Sequence, residues 1–168
     1  MIDLIVRGGQ VVTPWGVGEW DVAVDGEKIA AVAAPGTLPA DTGRVLDASG
    51  KVVVPGGIEP HAHIYSPRPG MPNVFTAPPE EASRSALFGG TTTITDFATQ
   101  GGDLDIFQAI AERDSQWKGN SYCDYSYHVT MVGAIRAEAV AQVPEAIQSG
   151  YPTFKIFTTN IRHEASIL

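Results

Sequence analysis

The chain has little of several things that would place it in a special class. It holds one cysteine, Cys123, so no internal disulfide can form, and a reducing compartment is the default expectation. No window approaches the ~18 consecutive apolar residues of a membrane helix. The opening MIDLIVRGG lacks the charged start and long apolar stretch of a secretory signal. Positive charge is scarce, with 11 Lys and Arg against 19 Asp and Glu and a net charge of −8. Nucleic acid and anionic membrane both reward clustered Lys and Arg, so neither is expected as a partner. By elimination, a cytoplasmic protein is expected. At 168 residues the chain is long enough for a packed core but short of a complete eight-stranded barrel, which takes about 250.

What is present is a change of rhythm. Residues 1–54 carry short β-branched runs separated by Gly, Asp and Pro, and DGEK (25–28) supplies Asp-Gly as a hairpin turn. From residue 57 strands and helices alternate. GIEPHAHI (57–64) reads as a strand, PPEEASRSALFGG (78–90) as a helix with Pro at its start and Gly at its stop, and TTTITDFA (91–98) as a strand. Residues 103–119 read as a second helix, 121–132 as a third strand, 136–150 as a helix that Pro144 bends or breaks, and 152–159 as a fourth strand. Such alternation implies parallel βα units. An open doubly wound sheet and a closed barrel both fit at this stage. No glycine-rich dinucleotide fingerprint follows the first strand, where YSPRPGMP stands instead.

Two features carry chemistry. His61 and His63 are two apart at the end of an apolar strand, so their side chains are expected to project together, in a place where barrels build active sites. They are either ligands for a divalent metal such as zinc or ordinary polar residues at a strand end. Lys155 stands between Phe154 and Ile156 on a predicted buried strand, where desolvation penalises its charge. It is a snorkelling side chain, a Schiff-base amine, or an amine that has taken up carbon dioxide to become an oxygen ligand.

In this order, PGGIEPHAHI, ALFGGTTTITDF, CDYSYHV and FKIF resemble the amidohydrolase superfamily, and within it the hydantoinase and dihydropyrimidinase branch. The resemblance runs from DLIVRGGQVVT to FKIFTT. It implies an α/β fold: the N-terminal half of a (β/α)8 TIM-like barrel (residues 57–168) preceded by part of a small β-sandwich (residues 1–56). It also implies a binuclear zinc centre, with His61 and His63 as ligands and Lys155, carboxylated by carbon dioxide, bridging the ions. A hydroxide held between them would attack the carbonyl carbon of a cyclic amide. The family draws two further histidines and a catalytic aspartate from later strands, so the chain is expected to be the N-terminal part of a longer, homotetrameric enzyme and inactive alone. A frameshift near residue 161 would account for the tail RHEASIL.

Within the matching region there are departures. Glu59 stands where the branch more often has Asp, and Asn160 where it commonly has a substrate-binding tyrosine. Tyr65 replaces the arginine that relatives acting on dihydroorotate use, which argues against that substrate. Tyr65 and Asn160 are the candidate substrate contacts. His128, His163, Asp96 and Asp124 match no ligand or catalytic position. Two other readings are a non-catalytic scaffold of the same fold and a one-metal amidohydrolase such as a deaminase. Retention of His61, His63 and Lys155 argues against the first, and a bridging Lys155 against the second.

Overall fold

A computed structural model describes residues 2–39, 43–71, 73–133 and 135–158. The chain divides after Pro55 into two compact units.

The first unit is a single five-stranded sheet. Its central strand, β1 (Leu4–Thr13), pairs antiparallel with β2 (Gly16–Asp25) and parallel with β4 (Arg44–Asp47) and β5 (Val52–Val53); β3 (Lys28–Ala33) lies outside β2. The Asp-Gly turn joins β2 to β3 as the sequence predicts, with Gly26 at φ +60° and its N–H held by the Asp3 carboxylate. The register of β1 shifts between Val6 and Gly9, where Gly8 takes φ +78°. That bulge brings the Gly8 N–H to the buried Asp21 carboxylate, which also accepts from Arg7 Nε at 3.1 Å and from the Gly36 N–H at 3.0 Å. Burial alone would raise the Asp21 carboxyl. The Gly36 N–H, the Arg7 guanidinium and the Gly8 N–H outweigh it and hold the group below its ordinary range.

The second unit holds the alternating elements. They are β6 (Gly57–Glu59), α1 (Pro79–Phe88), β7 (Thr91–Gln100), α2 (Ile106–Trp117), β8 (Asp124–Met131), α3 (Ala137–Ala141), α4 (Val143–Gln148) and β9 (Phe154–Ile156). All four strands are parallel and stand in chain order, β6-β7-β8-β9. A doubly wound sheet would return to its first strand and grow on the other side. Here every strand adds on the same side, which makes the sheet a parallel half-barrel.

Local chemistry sets the element ends. Pro79 opens α1 with Glu80 and Glu81 in its first turn, and Gly90 follows it at φ +86°. Asp105 and Gln108 form a reciprocal capping box at the start of α2. The predicted third helix is two short ones, α3 and α4, separated at Gln142. Pro144 has no N–H to continue a helix but suits the first turn of a new one.

One expectation needs correcting. The strand carrying the histidines stops at Glu59 rather than running to Ile64. Pro60 has no N–H to give a ladder, and the Glu59 carboxylate takes the His61 N–H at 2.9 Å. Residues 60–64 are therefore an irregular segment laid against β7 by one backbone bond, Ala62 N–H to Thr95 at 3.0 Å.

Alternation along the longer strands separates two faces. Ile94, Ala98, Tyr127, Val129 and Met131 pack under the helices with Ile106, Ile110 and Trp117. Phe97, Thr99, His128, Thr130 and Lys155 fall on the opposite, inner face. Tyr127 and Tyr125 both donate to Asp114, at 3.1 and 3.3 Å. Burial first, and the Asp114 charge second, raise both phenols above their ordinary value, Tyr127 furthest. The unfolded phenols ionise near pH 10, so their contribution to stability is intact below about pH 10 and fades as pH rises above it. A urea midpoint that falls from about pH 10 upward, and falls less in Tyr127→Phe, is the expected result. Equal slopes in the two proteins would remove the role given to Tyr127.

Candidate functional site

The inner face converges on one ring. Phe97, in the middle of β7, is 8% exposed. His63 stacks on it with ring centroids 4.6 Å apart, and His61 meets it edge-on at 4.7 Å. Lys155 Nζ sits 4.5 Å from the same centroid, and His128 lies 5.1 Å from it. The two predicted ligands are thus brought together, their rings 5.3 Å apart, with the predicted lysine on the same aromatic platform. Strand alternation does not achieve this for the histidines, because they lie beyond the strand. The platform does.

The strand register explains the lysine. Lys155 pairs with Thr130, and Thr130 with Thr99, so the three side chains form a row across β9, β8 and β7. One row along, Phe97 pairs with His128. Lys155 also lies 5.1 Å from the Phe157 ring. The side chain lies close enough to His63 to act on it electrostatically. His63 bears the consequence: partial desolvation, then the charge of Lys155, then His61, push its pKa below the ordinary histidine value. It is held as the neutral imidazole, the form that ligates metal.

The donor set suits a divalent metal in character. Two imidazoles supply nitrogen donors, and a lysine over the same Phe97 ring could supply oxygen once carboxylated. Among the described residues, no group of three or more His, Cys, Asp or Glu is placed to hold an ion. Three donors do not fill two zinc coordination shells of about four ligands each.

The carboxylates nearby are occupied elsewhere. Glu59 is turned to the His61 N–H. Asp124 opens β8 at the end of the strand away from Thr130 and Met131. Asp96 is fully buried on the helix side of β7. It accepts from Arg113 Nε at 2.9 Å, from a second Arg113 nitrogen, from Trp117 Nε1 at 2.9 Å, from the Phe97 N–H at 2.8 Å and from the Ile64 N–H at 3.4 Å. Arg113 donates in turn to the Ile64 carbonyl. Asp96 and Arg113 therefore pin the end of the histidine segment to α2. Thr76 adds a hold one residue earlier by donating to the His63 carbonyl at 2.7 Å.

Sequence reasoning had set Asp96 aside and had not singled out Phe97, Arg113 or Thr76. Period-two alternation in TTTITDFATQ marks Phe97 as the large inward residue, which is the one available signal. Arg113 offers none, because the partners that tie it to the site, Asp96 and Ile64, are 17 and 49 residues away.

Tyr65 follows the histidines at φ +44° and stacks on Phe75 at 5.1 Å, in a loop closed by a bridge between Pro67 and Phe75. A cavity of about 770 Å³ opens between this loop and the inner face, with His63, Tyr65, Phe75, Phe97, Arg113 and Lys155 in its wall. Asn160 and His163 lie outside the described residues.

No family model matches the chain. Curated relatives do. A D-hydantoinase of Streptomyces coelicolor is 34% identical over 156 residues, covering 91% of this chain and 33% of the relative. A rat dihydropyrimidinase is 32% identical over 157 residues, covering 92% and 30%. Among solved structures, that of a dihydropyrimidinase from Brevibacillus agri superposes with a TM-score of 0.86 at 29% identity, covering 99% of this chain and 35% of the other. The chain thus spans about a third of the length of the relatives it matches. Over more than nine-tenths of its own length, it is a homologue of the D-hydantoinases and dihydropyrimidinases.

Proposed function

We propose that the protein is a metal-dependent hydrolase of a cyclic amide C–N bond, of hydantoin or dihydropyrimidine type, and that this chain provides His61, His63 and Lys155 to its metal centre. The observation that carries the reading is the gathering of both imidazoles and the lysine amine on the Phe97 ring. The names of the relatives supply the substrate class. Two divalent ions, zinc by the character of the donors, supply Lewis acidity and a nucleophile at neutral pH when bound. The chain's residues do the rest. His61 and His63 offer imidazole nitrogen donors, and the Phe97 platform sets their spacing. Lys155, once its ammonium has given up one proton, would add carbon dioxide at Nζ and release a second, so that a cation becomes an anionic carbamate able to serve as an oxygen ligand. Tyr65, and Asn160 beyond the described residues, are the proposed substrate contacts. In this reading the half-barrel belongs to a closed (β/α)8 barrel (residues 57–168 within it), and residues 1–56 to a β-sandwich. The whole enzyme is a cytoplasmic homotetramer.

Because three donors cannot complete two zinc shells, the 168 residues alone are expected to bind zinc without turning over substrate. Zinc titration of the chain and of the double variant His61→Ala/His63→Ala, with hydantoin and dihydrouracil assays alongside, checks this. The expected result is binding that the double variant loses and no chelator-sensitive hydrolysis. Unchanged zinc binding in the double variant would remove the metal role. Hydrolysis by the chain alone, abolished by chelator, would contradict the incomplete centre.

A further inference from the structure

His128 is a histidine that the proposed chemistry does not use, yet both of its ring nitrogens are engaged. Nε2 lies 2.6 Å from the Pro60 carbonyl oxygen, and Nδ1 lies 2.6 Å from Thr153 Oγ1. A carbonyl can only accept, so Nε2 carries the proton. In the neutral ring Nδ1 is then an acceptor, and the Thr153 hydroxyl must donate to it. The tautomer is fixed by its partners.

The two partners matter for where they stand. Pro60 directly precedes His61, in a segment that has left the sheet after Glu59. Thr153 stands two residues before Lys155, on the same side of the chain, and its carbonyl accepts the Val129 N–H at 3.0 Å. His128 itself sits on β8, across from Phe97 on β7. One imidazole therefore spans from the tip of β6 to the start of β9, over the aromatic platform that carries His61, His63 and Lys155. Backbone ladders do not make this link, since β6 and β9 are the two edges of the sheet.

We propose that His128 is a positioning residue that fixes the backbone before His61 relative to the strand bearing Lys155, and so sets the separation of the two halves of the metal centre. This rests on the reading of that centre given above. Groups that orient metal ligands indirectly change metal affinity by about 10–100-fold when removed. His128→Phe keeps the ring packed on Phe97 and removes both hydrogen bonds. His128→Gln restores a donor with about the reach of Nε2. Thr153→Val removes the hydroxyl alone.

The test has two arms on the full chain, each variant first confirmed as folded by its amide NMR spectrum. In the metal-free arm, ¹⁵N imidazole spectra at mildly alkaline pH are expected to show His128 protonated at Nε2 and bare at Nδ1. His128→Phe is expected to shift the signals of both His61 and Lys155. In the metal arm, zinc affinity is expected to fall about 10–100-fold in His128→Phe and to recover most of that loss in His128→Gln. A proton on Nδ1, or His61 and Lys155 signals unmoved in His128→Phe, would overturn the clamp. Zinc affinity unchanged in a folded His128→Phe would overturn its positioning role. If wild type binds no zinc, the metal reading fails and the metal-free arm alone decides whether His128 links the two strands.

Discussion

Asp96→Ala is expected to cost the second unit about 3–5 kcal/mol, the range for breaking a buried ion pair from one side. The carboxylate is fully buried and is the common acceptor for Arg113, Trp117 and two backbone N–H groups. Removing it strands a guanidinium that is only 11% exposed, leaves the indole N–H unpaired, and frees the Ile64 N–H. Each orphaned polar group adds its own desolvation cost. Asp96→Asn is expected to be less severe but still harmful. An amide can accept from backbone N–H groups, but it cannot neutralise Arg113, and its NH2 opposes the same donors. Urea unfolding with an unchanged m-value reads both losses. A loss under about 1 kcal/mol for Asp96→Ala would mean that the pair is no more than an exposed salt bridge in effect. Histidine ring signals offer a second readout. Once Ile64 is released, the His61–His63 segment should lose its fixed place on Phe97.

Lys155→Ala has the larger effect on chemistry and the smaller one on folding. The amine contributes an interaction with the Phe97 ring, about 0.5–2 kcal/mol, and it makes no hydrogen bond among the described residues. Stability should therefore change little. On the proposed reading, the variant of the intact protein would lose the bridge that holds the second ion. A metal acting as a Lewis acid supplies several kcal/mol of transition-state stabilisation, and ~4 kcal/mol corresponds to about a thousandfold in rate. Turnover of a hydantoin or dihydropyrimidine is expected to fall by at least about that factor, with one zinc lost per chain. Two zinc ions retained in the variant would sink the bridging role, and an unchanged rate would sink the catalytic one. The scaffold reading predicts no turnover in wild type. A one-metal deaminase predicts zinc content indifferent to Lys155.

Much of the fold was legible because its signals are local. The Asp-Gly turn, the Pro79 start of α1 and the Pro144 break each act within a few residues. The order of the parallel strands was not legible. It depends on which edge each new strand joins, and periodicity carries no trace of that. The histidine pair was found for a reason that proved incomplete. Alternation placed His61 and His63 on one face of a strand, whereas Pro60 ends the strand and Phe97 gathers the rings. What holds the site together lies at long range: Asp96 with Arg113, Thr76 with His63, His128 with Pro60. Such pairings join residues 13 to 68 positions apart, and a single sequence read for local pattern does not report them.

The most direct test of the account is anomalous diffraction from zinc-loaded crystals of the intact protein. Two zinc peaks within bonding distance of His61 and His63, with a carboxylated Lys155 spanning them, is the result predicted. Zinc bound away from the Phe97 platform, or two ions beside a bare Lys155 amine, would contradict it.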